Sequence, residues 1–187
     1  MAKITQPANT AAITNAMITD LRTVANPRIL PVNRVNALVA PETETLTVTA
    51  DIGEWFPNAG GGQYIDIPSW ATRAIVDAYW IQVREPGGNA HGQVWVEYGP
   101  KAATGLRERS TQRFQWNTNS SSDVSRAVWM VSDDVYIPAA YRGTNQLFQM
   151  KGRVFGASSG SARPQVDGES GVKMQVTFLE VADPSDT

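Results

Sequence analysis

Cysteine is absent from this chain of 187 residues, and histidine occurs once, at His91. Without cysteine the protein forms no disulfide, carries no thiol nucleophile and binds neither an iron–sulfur cluster nor zinc through thiolates. A single histidine excludes any site that needs two imidazoles. These absences remove much of the common catalytic and metal chemistry from consideration.

Long hydrophobic runs and a large excess of one charge are also missing. The 16 basic and 18 acidic side chains give a formal net charge of −2, which provides no general attraction for nucleic acid or an anionic membrane. No apolar run approaches the ~18–20 residues of a membrane helix. The first residues lack the basic-then-apolar pattern of a secretory signal. We therefore expect no nucleic-acid or membrane partner, and a protein made in a cytoplasm.

Aromatic residues are missing from positions 1–41, whereas the rest of the chain contains every Trp, Tyr and Phe. Apolar side chains at spacings of four, four and three predict one short helix here, which Asn26-Pro27 should end. These side chains are Ile13, Met17, Leu21 and Val24.

The segment from Pro27 to Pro41 contains three prolines among apolar residues, which predicts extended backbone rather than a strand paired on both edges. We predict that residues 1–42 form an arm that lies along a neighbouring subunit, because the segment is too apolar to stay in solvent. The alternative is an arm wrapped around its own domain. The residues expected to contact a partner are Ile13, Met17, Leu21, Ile29, Leu30, Val32 and Arg34.

From Thr43 the hydrophobic period changes to two, beginning with Leu46, Val48, Ala50 and Ile52 between threonines. The further candidate strands are Gln63–Ile67, Ala74–Arg84, Gln93–Tyr98, Glu108–Trp116, Ala127–Val131, Gln146–Phe155 and Val172–Val181. About eight strands separated by Gly-rich or Pro-rich turns predict an all-β fold, a two-sheet antiparallel sandwich of jelly-roll type. It should span residues 43–182, with residues 183–187 as a tail.

Motifs that carry chemistry are weak. The run Gly156–Gly160 fits the G-x-S-x-G pattern of serine hydrolases, but Arg163-Pro164 is a poor helix start and His91 is the only available base. The acidic pair Asp133-Asp134 lacks the ligand density of a calcium loop. The sequence thus predicts no catalytic residue, no metal site and no cofactor. A structural calcium ion between loops and a glycosidase with distant carboxylates stay open as alternatives.

Tryptophan and arginine give the remaining candidate surface. Trp55 and Trp70 lie at turns, where they either stack on a sugar or pack against the arm or a partner. Arg107, Arg109 and Arg113 share one face of a predicted strand, and arginine favours forked hydrogen bonds at protein interfaces. The alternative for these arginines is a solvated strand face.

The combination of an arm from Pro27 to Pro41 with a Gly-punctuated sandwich resembles virion structural proteins of tailed bacteriophages. The stretch Tyr64–Thr72, with sequence YIDIPSWAT, is similar to sandwich strands in phage decoration and tail-appendage proteins. The resemblance implies location in a virion assembled in a host cytoplasm. It brings no functional residues with it.

The leading hypothesis is therefore a non-enzymatic structural component of a phage particle, either a capsid decoration protein or a tail appendage. Its expected partners are other virion proteins and copies of itself. The alternative is a carbohydrate-binding sandwich for host attachment, in which Trp55 or Trp70 stacks on a glycan.

Overall fold

The computed structural model describes residues 2–4, 18–20, 28–37, 43–58, 62–99, 109–118, 124–157 and 162–181. These residues form strands almost throughout, with one 3₁₀ turn at Ala139–Tyr141. The strands are β1 (Ala2–Ile4), β2 (Ile18–Asp20), β3 (Ile29–Ala37), β4 (Glu44–Thr45), β5 (Glu54–Trp55), β6 (Gly62–Asp66), β7 (Arg73–Pro86), β8 (Gly88–Gly99), β9 (Arg109–Thr118), β10 (Val124–Tyr136), β11 (Asn145–Ala157), β12 (Gln165–Val166) and β13 (Gly171–Leu179).

The first sheet is built on β7, which pairs with β10 along one side. Strands β13 and β12 both pair with the other side of β7, at Arg73–Ile81 and at Arg84 respectively. Strands β13 and β12 therefore lie end to end and together occupy one strand position in the sheet. Strand β3 pairs with β13, and β4 pairs with β12. Together β3 and β4 form the edge of the sheet on this side. The sheet is thus four strand positions wide.

The second sheet is built on β11, which pairs with β8 along one side. Its other side pairs with β6 at Asn145–Gln149 and with β5 at Lys151–Gly152. Strand β9 pairs with β8 and completes a second sheet of four positions. All of these pairings are antiparallel, so the predicted two-sheet antiparallel sandwich is confirmed.

The core lies between the sheets and is made by alternate residues of each strand, because successive side chains of a strand point to opposite faces. In β13 these residues are Val172, Met174, Val176 and Phe178. Phe114 of β9 stacks on Trp129 of β10 with ring centroids 4.4 Å apart, which joins the two sheets directly. The buried indole of Trp80 also has a hydrogen-bond partner, because its Nε1 donates to the Phe56 carbonyl at 2.6 Å.

The predicted helix before Asn26 is wrong where the structure describes this segment. Ile18–Asp20 form β2, which pairs with β1 as a small antiparallel ladder. The periodicity did not reveal this because a three-residue strand is fixed by its partner rather than by its own pattern. Ile13, Met17, Leu21 and Val24 lie outside the described residues. Within the described part of the chain, no helix is long and apolar enough to span a membrane.

The strand predicted from Leu46 to Ile52 is also wrong, because regular pairing ends at Thr45. The Glu54 carboxylate takes the place of a neighbouring strand by accepting from the backbone N–H groups of Thr47 and Val48, at 2.5 and 2.9 Å. The segment passes from the first sheet to the second, since the Leu46 N–H bonds to Pro164 and the Val48 carbonyl accepts from Val154.

A glycine in the centre of β8 is predicted to be essential for packing. A Cβ at Gly92 would lie 2.2 Å from the carbonyl oxygen of Arg153 and 2.5 Å from Phe114 Cζ. Gly92→Ala should therefore lower the free energy of unfolding by about 1–3 kcal/mol in urea denaturation. The matched control is Gly171→Ala, where the nearest atom is Ile81 Cβ at 3.9 Å and no loss is expected. Equal stability of the two variants would contradict this packing.

Candidate assembly surface

Strand β3 comes from the segment that the sequence analysis assigned to the arm. It pairs with β13 over its whole length, from Ile29 opposite Leu179 to Ala37 opposite Gly171. Of the predicted partner contacts, Ile29 is 60% exposed and Leu30 43% exposed. Val32 packs against the core, and Arg34 lies opposite Met174 in the ladder. Ile13, Met17 and Leu21 are outside the described residues, and the division of the chain at residue 42 stays a prediction.

The outer side of β3 is an open sheet edge in the described part of the chain. The Glu180 N–H donates to the Arg28 carbonyl at 3.0 Å, so these two opposite residues form a hydrogen-bonded pair. This pair determines which residues of β3 direct their backbone groups toward β13. Even-numbered residues of β3 therefore bond to β13, and odd-numbered residues direct their N–H and C=O groups outward. Pro31 is odd-numbered and belongs to the outward-facing set, so its lack of an N–H removes no hydrogen bond to β13. Hydrogen-bonding groups for a further strand remain at Asn33, Val35 and Ala37.

An electrostatic contact, which we call the Arg28 clasp, holds the start of β3 to the sandwich. Arg28 Nε and Nη2 donate to the two carboxylate oxygens of Glu180 at 2.5 and 2.6 Å. The same guanidinium lies 5.1 Å from the ring centroid of Trp70. One face of Trp70 is thus covered by a residue of the same chain, a cation–π arrangement that arginine favours.

The clasp changes the acidity of both of its ionisable partners. The side-chain hydrogen bond to Glu180 raises the pKa of Arg28. The side-chain hydrogen bond from Arg28 lowers the pKa of Glu180 below its usual value of 4.5. The bidentate pair is therefore ionised on both sides at neutral pH.

Trp55, the other tryptophan predicted at a turn, is held within its own sheet. Its Nε1 donates to Gln149 Oε1 at 2.5 Å. Its ring lies beside Gly62, where a Cβ would be only 3.1 Å from Trp55 Cζ2. The indole is half-buried, so little of it is free for a ligand.

The three predicted arginines fall on or before β9. Arg109 lies opposite Glu97 and Arg113 opposite Gln93 in the ladder with β8. Arg113 is exposed, as a surface contact requires. Arg107 lies outside the described residues.

Two features of the sheets' outer faces were missed from the sequence. On the second sheet, Lys151 Nζ lies 3.0 Å from Glu97 Oε1, and both side chains are buried. Trp95 Nε1 donates to Glu97 Oε2 at 3.1 Å. On the first sheet, Val128 and Met130 are exposed. The signal for them was the unbroken apolar run Ala127–Val131, which places apolar residues on both faces of a strand.

The weak chemical motifs gain nothing from the structure. His91 is exposed within β8. Asp133 and Asp134 lie inside β10, and Asp134 pairs with Arg73 at 2.8 Å. No group of three or more His, Asp or Glu side chains in the described residues is arranged to hold a metal ion. Ser158 lies outside them.

No protein-family model and no curated protein matches this sequence. Among solved structures the chain is similar to mud crab tombus-like virus, at 10% identity over 98% of this chain and 95% of that one, with a TM-score of 0.33. The globular domain of zebrafish complement 1qA protein gives 11% identity over 83% and 98%, with a TM-score of 0.34. The Gx strain of infectious bursal disease virus gives 12% identity over 96% and 46%, with a TM-score of 0.28. Identities and TM-scores this low assign the chain to no family.

The attachment of β3 should weaken in acid. Because the pKa of Glu180 is lowered in the folded state, the clasp stabilises β3 fully above about pH 4.5 and is lost as the pH falls through the lowered value. Hydrogen-exchange protection at Leu30 and Val32, corrected for intrinsic rates, should therefore drop between pH 7 and pH 3, while that at Val94 persists.

Glu180→Gln is the matched variant, since it keeps the shape of the side chain and removes its charge. It should show the low β3 protection already at pH 7 and little further change in acid. A wild-type β3 whose protection is constant from pH 7 to pH 3 would contradict the role of the clasp.

The buried ion pair is predicted to matter for stability. Lys151→Met leaves the Glu97 carboxylate buried beside the Trp95 Nε1 donor, and breaking a buried pair on one side costs about 3–5 kcal/mol. The double variant Lys151→Met/Glu97→Gln removes both charges and should recover most of that loss. Urea denaturation measures both, and a single variant as stable as the wild type would disprove the prediction.

Proposed function

We propose that this protein is a non-enzymatic structural component of a phage particle, a capsid decoration protein or a tail appendage, located in the virion after synthesis in a host cytoplasm. It assembles with copies of itself and with other virion proteins through its N-terminal segment and its sandwich surface. The observation that carries the proposal is the open outer edge of β3.

An open edge offers a partner a row of backbone donors and acceptors, and adding a strand to it is a common way of joining subunits. The backbone groups at Asn33, Val35 and Ala37, which pair with no described residue, are spaced for one further antiparallel or parallel strand. Ile29, exposed at the start of the same strand, supplies apolar area beside them. Pro31 ends the usable edge on that side, and so sets the register of an incoming strand.

The exposed face of the first sheet supports the same proposal. Ile81, Val128 and Met130 are all exposed there, and Met130 lies opposite Tyr79 in the β7–β10 ladder. Apolar area of this kind at the surface is typical of a contact with another protein. A subunit docked at the edge and a second docked on this face would give each copy two kinds of contact, as a repeating array requires.

The alternative, a carbohydrate-binding module in which Trp55 or Trp70 stacks on a glycan, gains no support at those two residues. Trp70 is covered on one face by Arg28, and Trp55 is bound to Gln149 and packed beside Gly62. The arm-packing role considered for Trp70 fits its contacts better.

The proposal is tested by a proline placed on the open edge. Asn33→Pro removes an outward N–H and no hydrogen bond to β13, so the fold should persist while strand addition is blocked. Sedimentation velocity of the full chain should show oligomers for the wild type that grow with concentration, and monomers for Asn33→Pro.

Asn33→Ala is the matched control, because it removes the same side chain but keeps the N–H, and it should assemble like the wild type. A wild-type chain that is monomeric at every concentration would contradict the proposal, as would an Asn33→Pro variant that assembles normally.

A further inference from the structure

The outer face of the second sheet contains a cleft of about 340 Å³ that crosses β11, β8 and β9 near one end of the sandwich. Two rungs of the β8–β9 ladder form it, Asn89 opposite Asn117 and His91 opposite Gln115. Ala90, Trp116, Gly156 and Ala157 make up the rest of the lining among the described residues.

The side chains that face this cleft are neutral or weakly basic and planar. His91, Gln115 and Asn117 are exposed, and none of the three forms a side-chain hydrogen bond with the described residues. Each of the two amides presents a donor and an acceptor in one plane, and a neutral imidazole does the same with its two nitrogens. The cleft thus contains three side chains, His91, Gln115 and Asn117, whose hydrogen-bonding groups are not used within the described fold.

The floor of the cleft is kept open by a small residue. A Cβ at Gly156 would lie 2.9 Å from His91 Cε1, so the absence of a side chain there lets the imidazole lie against β11. The side chains of Ala90 and Trp116 are buried, so these two residues contribute to the floor rather than to the rim. Phe155 stands next to His91 with ring centroids 6.0 Å apart and is itself exposed.

We propose that this cleft binds a neutral saccharide. Sugar hydroxyls both donate and accept hydrogen bonds, which matches the paired donors and acceptors of amide and imidazole groups. The described residues that line the cleft include no carboxylate, ammonium or guanidinium group, so none of them selects a charged ligand. Its volume is at the lower end of the ~300–1,000 Å³ typical of small-molecule sites, which suits one or two sugar rings at the end of a chain.

The saccharide site is independent of the proposed assembly role. It lies on the second sheet, whereas the open edge and the exposed apolar face belong to the first. It also differs from the tryptophan surfaces at Trp55 and Trp70, neither of which lines the cleft.

The test is a printed array of neutral glycans probed with the tagged full-length chain, followed by titration of the strongest neutral oligosaccharide in saturation-transfer NMR. Gln115→Ala and Asn117→Ala should each weaken binding by about two- to tenfold, the value of one or two hydrogen bonds. The double variant should lose detectable binding. Neither side chain hydrogen-bonds to another described residue, so both variants should stay folded.

Gln175→Ala is the control, because it deletes a half-buried amide of β13 in the first sheet, away from the cleft, and should leave binding unchanged. An array without a neutral-glycan signal would overturn the proposal. So would binding that survives Gln115→Ala/Asn117→Ala and instead falls in Trp55→Ala or Trp70→Ala. Sedimentation of the same variants separates the two proposals, since loss of glycan binding with normal assembly affects only this one.

Discussion

Every backbone N–H and C=O in a sheet needs a partner, and this requirement governs where the molecule is closed and where it is open. Strands β7 and β11 are paired on both sides, so they can sit at the centre of their sheets. Other positions are filled by short pieces such as β4 and β5, and short or interrupted edges offer little to an incoming strand. The long edge strands among the described residues are β3, β9 and β10, and in β3 Pro31 limits the open part to one end.

The interior of the sandwich could be predicted from the sequence because its signal is local. Alternation such as that of Val172 to Phe178 requires a half-buried strand whatever its neighbour is. The segment from Leu46 to Ile52 has the same alternation but forms no regular ladder with a neighbouring strand. The N–H groups of Thr47 and Val48 bond instead to the Glu54 carboxylate. Hydrophobic periodicity shows which face of a segment is apolar. It does not show whether the backbone of the segment bonds to a neighbouring strand or to a side chain.

The candidate site could be predicted only in part, because its contacts join distant parts of the chain. Arg28 and Glu180 are 152 positions apart, and only the β3–β13 register brings them together beside Trp70. Alternation alone would place Glu97 and Lys151 on the solvent-facing side of their strands. Both are buried beside Trp95, which lies opposite Lys151 in the ladder and donates to Glu97. Gly53 packs on the same indole so closely that a Cβ there would overlap its ring. The burial of Glu97 and Lys151 therefore cannot be predicted from the sequence of either strand alone.

The two outer faces of the sandwich differ in a way that allows both proposed roles at once. The first sheet exposes apolar side chains and an open edge, features that favour contact with protein. The second sheet is closed in its middle by a buried ion pair and opens at one end into a cleft of neutral hydrogen-bonding groups. Because the sheets pack through their inner faces, these outer faces point in opposite directions. A subunit anchored through the first sheet therefore keeps the cleft of the second exposed to solvent, where a glycan can reach it.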